Sequence, residues 1–183
     1  EEDLNLFERI PATIDKDEFI PFSESQTRDS KVPDFPTFGS GYRSYVTGLT
    51  HNKLGYPATD KQKDHEELIT RITSKITDDR EKLTDIEEIE LEDAEIAFVT
   101  YGASARPTES VAKMGRENGI KVGMLRLKMV WPFPRKVIND LSKRVNTIIV
   151  PEMNLGQIVH PITEYADAEC NFVPACKVRS VML

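Results

Sequence analysis

Cysteine is nearly absent: Cys170 and Cys176 are the only two in 183 residues. A disulfide framework needs more, and a Cys-x-x-Cys pair for a metal or cluster is missing. Two thiols near the end of an acidic chain suit a reducing cytosol, where both read as small buried hydrophobes. Long apolar runs are also lacking, and none approaches the ~20 residues of a membrane helix. The first residues, Glu1-Glu2-Asp3, are acidic, where a signal peptide requires positive charge. These absences lead to the expectation of a cytoplasmic protein with no membrane partner. Positive charge is in deficit, 24 Lys+Arg against 31 Asp+Glu, which argues against a nucleic-acid partner because phosphate contacts need a basic footprint.

What charge there is falls unevenly. Residues 1–95 carry 24 acids and 12 Lys/Arg, whereas residues 96–183 carry 7 and 12. The basic half suits an anionic ligand or acidic partner, or forms a solvated face. A hydrophobic share of 39% with 30% charged residues is that of an ordinary globular protein. The length allows one sizeable domain and an extension.

Residues 1–58 are rich in breakers, among them Pro11, Pro21, Pro33, Pro36, Gly39, Gly41, Gly48, Gly55 and Pro57. That spacing excludes long helices and predicts an extended segment laid over another surface. Its aromatics, from Phe7 to Tyr45, argue for packing. Leu68, Ile72 and Ile76 then recur at helical spacing, predicting a long helix over residues 60–82 with Asp60 as its cap. Residues 84–95 are acid-dense and read as a connection. The sheet is expected from residue 94. Strands are predicted over 96–101, 122–127, 147–150 and 172–178. Helices are predicted from Pro107, with Val111, Ala112 and Met114 as the apolar face, from Pro134, and over 156–165. This alternation implies a mostly parallel α/β sheet with helices on both faces. The expected domains are a tail over residues 1–58 and an α/β domain over residues 59–183.

Ligands of such sheets gather beyond the carboxyl ends of the strands. The Gly102–Arg106 turn there resembles an anion cradle with Arg106 as its cation, but it lacks G-x-G-x-x-G and G-K-[ST]; a tight strand-to-helix turn explains it equally well. Trp131-Pro132-Phe133-Pro134 is stiff and reads as a packing or subunit-contact loop. Asn154 and Gln157 suit either hydrogen bonds to a ligand or capping of the following helix, and the cap is the preferred reading. The richest polar stretch is residues 39–57, where glycines alternate with Arg43, Thr47, Thr50 and His51. A guanidinium matches a carboxylate bidentately, and an imidazole moves protons near neutral pH. Either residue is also an ordinary structural feature of a loop.

Residues 42–51, Tyr-Arg-Ser-Tyr-Val-Thr-Gly-Leu-Thr-His, followed by Gly55-Tyr56-Pro57, resemble the alpha subunit of 2-oxoacid:ferredoxin oxidoreductases, particularly the 2-oxoglutarate type. Three more segments match in order: Tyr101-Gly102 with Ala105-Arg106, Leu125-Arg126-Leu127 with Trp131 to Pro134, and Val150 to Asn154 with Gly156-Gln157. Asn52 stands where the family usually has an acid. The resemblance implies a transketolase C-terminal-like domain, preceded by the tail of a pyrimidine-binding domain, in a heteromer that oxidatively decarboxylates a 2-oxoacid with CoA and ferredoxin. Thiamine diphosphate with Mg and the iron–sulfur clusters would be held by other regions or by the beta and other subunits, and none by this fragment or metal site of its own. The catalytic residues would likewise lie elsewhere, and the isolated fragment would be inactive. Arg43, Thr47, Thr50 and His51 are the substrate-binding residues so implied, with Arg106 as a possible anion binder. The alternatives are a non-catalytic docking domain and a CoA- or nucleotide-binding module.

Overall fold

The computed structural model describes residues 9–174. The chain forms two compact units, residues 1–78 and 79–183. The division therefore falls after the long helix, not at residue 58. The reason is local: Thr50 Oγ1 meets His65 Nδ1 at 2.9 Å, and Lys53 pairs with Glu67 at 3.3 Å, tying the helix to the preceding loop.

In the first unit, regular structure among the described residues before residue 62 is limited to two isolated bridges, Pro11 with Phe35 and His51 with Pro57, as the density of prolines requires. A buried carboxylate organises one loop. Asp34 accepts hydrogen bonds from Ser25 Oγ at 2.7 Å, Thr27 Oγ1 at 2.9 Å and the Gln26 N–H at 2.9 Å, and it pairs with Arg28 at 3.3 Å. Phe19 packs on Tyr42, whose hydroxyl donates to the Ile14 carbonyl at 2.7 Å. The expected packing of aromatics holds for these rings but not for Phe38, which is 97% exposed. Helix α1, Gln62–Thr77, begins beside Lys61 with no side-chain cap. Asp60 is not the cap, because the chain there is still in a turn closed by Lys61 N–H and the Ala58 carbonyl. The predicted span to residue 82 divides here, residues 80–83 forming a separate turn, α2 (Arg80–Leu83).

Among its described residues the second unit forms a five-stranded sheet. Its strands are β1 (Ile86–Ile89), β2 (Ile96–Tyr101), β3 (Val122–Leu127), β4 (Thr147–Glu152) and β5 (Glu169–Pro174), in the order β1-β3-β2-β4-β5. All neighbours are parallel except β1 with β3. Helices α4 (Arg135–Ser142) and α5 (Val159–Tyr165) bury Ile138, Leu141, Val159 and Ile162 against Ala97, Val99, Leu125, Ile148 and Val150. Strand alternation turns Phe98 to the other face, where it lines a cavity with Pro107, Thr108 and Val111 of α3 (Ala105–Glu117). Helix α3 faces the sheet with Ala105, Thr108 and Ala112. Val111 and Met114, expected on its apolar face, are 52% and 61% exposed. The small residues lie inward because β3 comes close: a Cβ on Gly115 would stand 2.8 Å from Val122.

Strand β1 was hidden by its charge. Residues 84–95 read as a connection, yet Glu87 lies opposite Arg126 in the register and pairs with it at 3.3 Å, while Glu88 pairs with Arg144 at 3.2 Å. Cations from elsewhere in the unit make an acid-rich edge strand tolerable. The last strand begins at Glu169 rather than 172; residues 175–178 of the predicted strand, and Cys176, lie outside the described residues. Cys170 is half-buried, and burial pushes its thiol up.

Gly123 shows why one position of β3 carries no side chain. A Cβ there would stand 2.4 Å from the Glu90 carbonyl oxygen, a backbone atom held in place because Arg116 Nη2 donates to it and Arg116 Nε donates to the Val122 carbonyl at 2.6 Å. Gly123→Ala is expected to destabilise this unit by about 1–2 kcal/mol, since overpacking against backbone cannot relax through a rotamer. Urea unfolding followed by the fluorescence of Trp131, the single tryptophan, measures it; an unchanged midpoint contradicts the clash.

Candidate functional site

In the first unit, the loop after residue 50 folds tightly. Asn52 Oδ1 accepts the Leu54 and Tyr56 N–H groups at 3.0 and 3.1 Å. Gly55 sits at φ +86, 2.9 Å from the Phe22 ring by its would-be Cβ, so a larger residue would be strained and would press on Phe22. An aspartate carboxylate can accept the same two N–H bonds, so Asn52 keeps the loop without the charge. The loop sets His51, 7% exposed, against Phe22 with ring centroids 4.1 Å apart.

His51 Nδ1 lies 3.0 Å from the Asn52 carbonyl oxygen. A carbonyl only accepts, so Nδ1 carries a proton, and the tautomer this selects has Nε2 as its acceptor. No described residue bonds Nε2. His51 lines a cleft of about 460 Å3 together with Phe22, Lys53, Asp64, Glu67 and Arg71. Lys53 is engaged with Glu67, whose other oxygen faces Lys63 at 3.8 Å. Arg71, on α1 and partly buried, makes no ion pair or hydrogen bond through its guanidinium with a described residue. Burial pushes its pKa below the ordinary value, and the charge of Glu24 partly offsets this through space.

In the second unit, the connections of β2 and β4 leave in opposite directions, so the crevice beyond their carboxyl ends is where such sheets bind ligands. Here a polar network fills it. Glu152, fully buried, accepts the Ile158 and Val159 N–H groups at 2.9 Å and the Tyr101 hydroxyl at 3.1 Å. Asn154 Nδ2 donates to the Tyr101 oxygen at 2.8 Å. Burial raises the Glu152 pKa, but the N–H donors together outweigh it and hold the carboxyl below its usual range. The Tyr101 hydroxyl moves the other way, raised by burial and by Glu152. The helix cap is thus Glu152. Of the two residues expected there, Asn154 bonds Gly156 N–H and Tyr101, and Gln157 contributes its own N–H.

Beside this network, the Gly102–Ser104 turn opens α3, and Arg106 and Arg126 line a cavity of about 360 Å3 with Gly102, Ala103 and Glu109. Arg106 is exposed. Of the Trp-Pro-Phe-Pro loop, Pro132 and Phe133 are buried in the core, and Trp131, joined to Pro132 by a cis peptide bond, is 64% exposed.

The four residues singled out between 43 and 51 are not gathered into one pocket. His51 faces the cleft. Thr50 is bonded to His65, and Thr47 Oγ1 accepts the Leu49 N–H at 3.2 Å. Arg43 is exposed and has no ion pair with a described residue. Arg71 was given no role by the sequence, and Glu152 stood there only as one residue of the segment Val150 to Asn154. Arg71 looked like one more polar residue on an amphipathic helix, and no local signal marked it. Glu152 had one, an acid a few residues before a helix start, where it complements the helix dipole.

Comparison with known proteins bears on both units. Residues 94–181 match the family model of pyruvate:ferredoxin oxidoreductase core domain II. The 2-oxoglutarate synthase subunit KorA of Methanothermobacter thermautotrophicus is 37% identical over 173 residues, 93% of this chain and 45% of that subunit. KorA of Methanocaldococcus jannaschii is 38% identical over 147 residues, 80% of this chain and 39% of that subunit. A 2-oxoglutarate:ferredoxin oxidoreductase from Magnetococcus marinus, solved with 2-oxoglutarate, coenzyme A and succinyl-CoA bound, has the same fold over 96% of this chain and 30% of its own, with a TM-score of 0.76 at 20% identity. The chain spans less than half the length of the curated relatives it matches here. With core domain II at residues 94–181 and homology to KorA subunits along nearly its whole length, the chain belongs to the 2-oxoacid:ferredoxin oxidoreductase family.

Proposed function

We propose that the chain is part of the alpha subunit of a thiamine diphosphate-dependent 2-oxoacid:ferredoxin oxidoreductase of the 2-oxoglutarate type. The reaction takes a 2-oxoacid, CoA and oxidised ferredoxin to an acyl-CoA, CO2 and reduced ferredoxin. The observation that carries this reading is the 37% identity to a 2-oxoglutarate synthase subunit over 93% of the chain. Among the described residues no cluster of three or more His, Cys, Asp or Glu is placed to hold a metal ion. They offer no fit for a Mg-bound diphosphate or an iron–sulfur cluster, and no reaction step is assigned to them. The role proposed for this chain is substrate recognition and assembly in the cytoplasm, beside the beta and other subunits, with no membrane or nucleic-acid partner; among the described residues no helix is long and apolar enough to cross a membrane.

Arg43 is proposed to pair with a substrate carboxylate, with Thr47, Thr50 and His51 nearby and Arg106 as an anion binder at its own cavity. The exposure of Arg43, and of Phe38 and Val46 at 97% and 91%, supports a segment completed by another surface; a docking role for this unit rests on the same apolar residues. The test is reconstitution of the full-length subunit with its partner chains, assayed for CoA-dependent reduction of ferredoxin by 2-oxoglutarate. Turnover is expected only in the assembled complex. Arg43→Ala is expected to raise KM about tenfold, the equivalent of ~1.4 kcal/mol. Unchanged KM would favour docking as the role of this segment.

A further inference from the structure

We infer that the cleft between the His51 loop and α1 binds a small carboxylate that also carries an O–H donor, with Arg71 holding the carboxylate and His51 Nε2 accepting the donor. Three observations meet there. The cleft, about 460 Å3, has the size of a small organic ligand's site. Its imidazole is 7% exposed, fixed on one side by the Asn52 carbonyl and on the other by Phe22, which leaves one nitrogen without a described partner. A buried histidine held in one tautomer is a directional acceptor. Finally, Arg71 is the one lining cation that no described carboxylate occupies, Lys53 being paired with Glu67. A partly buried guanidinium that has no direct ion pair with a described residue, only the through-space charge of Glu24, is incompletely compensated, and a planar carboxylate relieves it bidentately.

The remaining charges narrow the ligand. Glu24 is exposed and Asp64 partly so, and both line the same cleft. These acids repel a polyanion such as a nucleotide, while a ligand with one or two carboxylates and a hydroxyl meets Arg71 and His51 without loading the acidic rim. The apolar surfaces of Phe22 and Leu68 accommodate a short carbon chain. This site shares His51 with the residues proposed above to lie near the substrate, but it rests on the cleft and Arg71 and goes beyond that reading.

Calorimetric titration of the chain with L-malate, succinate and ATP as probes tests the assignment. Malate and succinate are the same diacid except for one hydroxyl. Malate is expected to saturate a single site and to bind more tightly than succinate, with ATP weaker than either. Arg71→Ala should weaken malate at least tenfold and Arg71→Lys less, because an ammonium keeps charge without the planar fork. His51→Phe should abolish the preference for malate over succinate. Lys113→Ala, which removes an exposed cation on α3, should change nothing. Circular dichroism checks that each variant is folded, and Arg71→Lys serves if Arg71→Ala is not. Malate binding that is absent in the folded chain, insensitive to Arg71→Ala, or outcompeted by ATP overturns the inference. Arg71-dependent malate binding upholds it, even in a reconstituted enzyme that turns over no 2-oxoacid, a result that would count against the proposed function alone.

Discussion

Glu152→Ala is expected to cost the sheet unit about 3–5 kcal/mol, the range for removing one partner from a buried, hydrogen-bonded charge network. The carboxylate sits at the end of β4, where its two oxygens take the Gln157, Ile158 and Val159 N–H groups that open α5. Without it those donors are stranded beside the core, the Tyr101 hydroxyl that accepts from Asn154 loses its own acceptor, and a side-chain-sized void adds to the cost. Glu152→Gln should cost less, because an amide oxygen still accepts, although its NH2 group faces donors. The pH dependence follows from the lowered pKa: stabilisation by this carboxylate is fully present above the unfolded value of ~4.3 and is lost as pH falls through the lower folded value. Urea unfolding followed at Trp131 between pH 7 and pH 3 measures both effects. A Glu152→Ala midpoint equal to wild type, or a wild-type midpoint flat across that range, contradicts the role.

The sheet was largely legible because its strands advertise themselves. Parallel strands buried on both faces read as continuous apolar runs, and Ile96 to Tyr101 and Val122 to Leu127 lie where the sequence places them. What stayed hidden depended on partners distant in sequence. The strand at Ile86–Ile89 is made tolerable by Arg126 and Arg144, and no window around residue 87 contains them. The cleft was half legible for the same reason. His51 stands in a stretch dense with glycine and polar groups, which drew attention to it. Arg71 is twenty positions later on a helix whose period signals only an apolar stripe, and its relation to His51 exists only once Thr50 has met His65. Asn52, which departs from the family's usual acid, became intelligible as an acceptor of two backbone N–H groups, a geometric role that needs an oxygen rather than a charge.

Asp34→Ala is expected to open the loop over residues 25–34 at a cost of about 3 kcal/mol, from several hydrogen bonds to one charged acceptor. Its carboxylate is 4% exposed and gathers Ser25, Gln26, Thr27 and Arg28. No regular secondary structure spans this loop, so little else there can compensate. Burial alone would raise the pKa, yet the donors, Ser25 first, bring it from 3.8 to about 2. A depressed folded value means the stabilisation is complete above pH ~4 and disappears as pH falls from 3.8 toward 2. The shift corresponds to about 2 kcal/mol, consistent with a substitution that also strands Arg28. Amide hydrogen exchange is the suitable readout, because the two units need not unfold together. In the Asp34→Ala chain at neutral pH, the Gln26 and Arg28 N–H groups, the first bonded to Asp34 and the second to Ser25 Oγ, should lose protection while those of β2 and β3 keep theirs. Loss of protection in both places would mean that Asp34 stabilises the whole chain, and retention in both that the carboxylate contributes little.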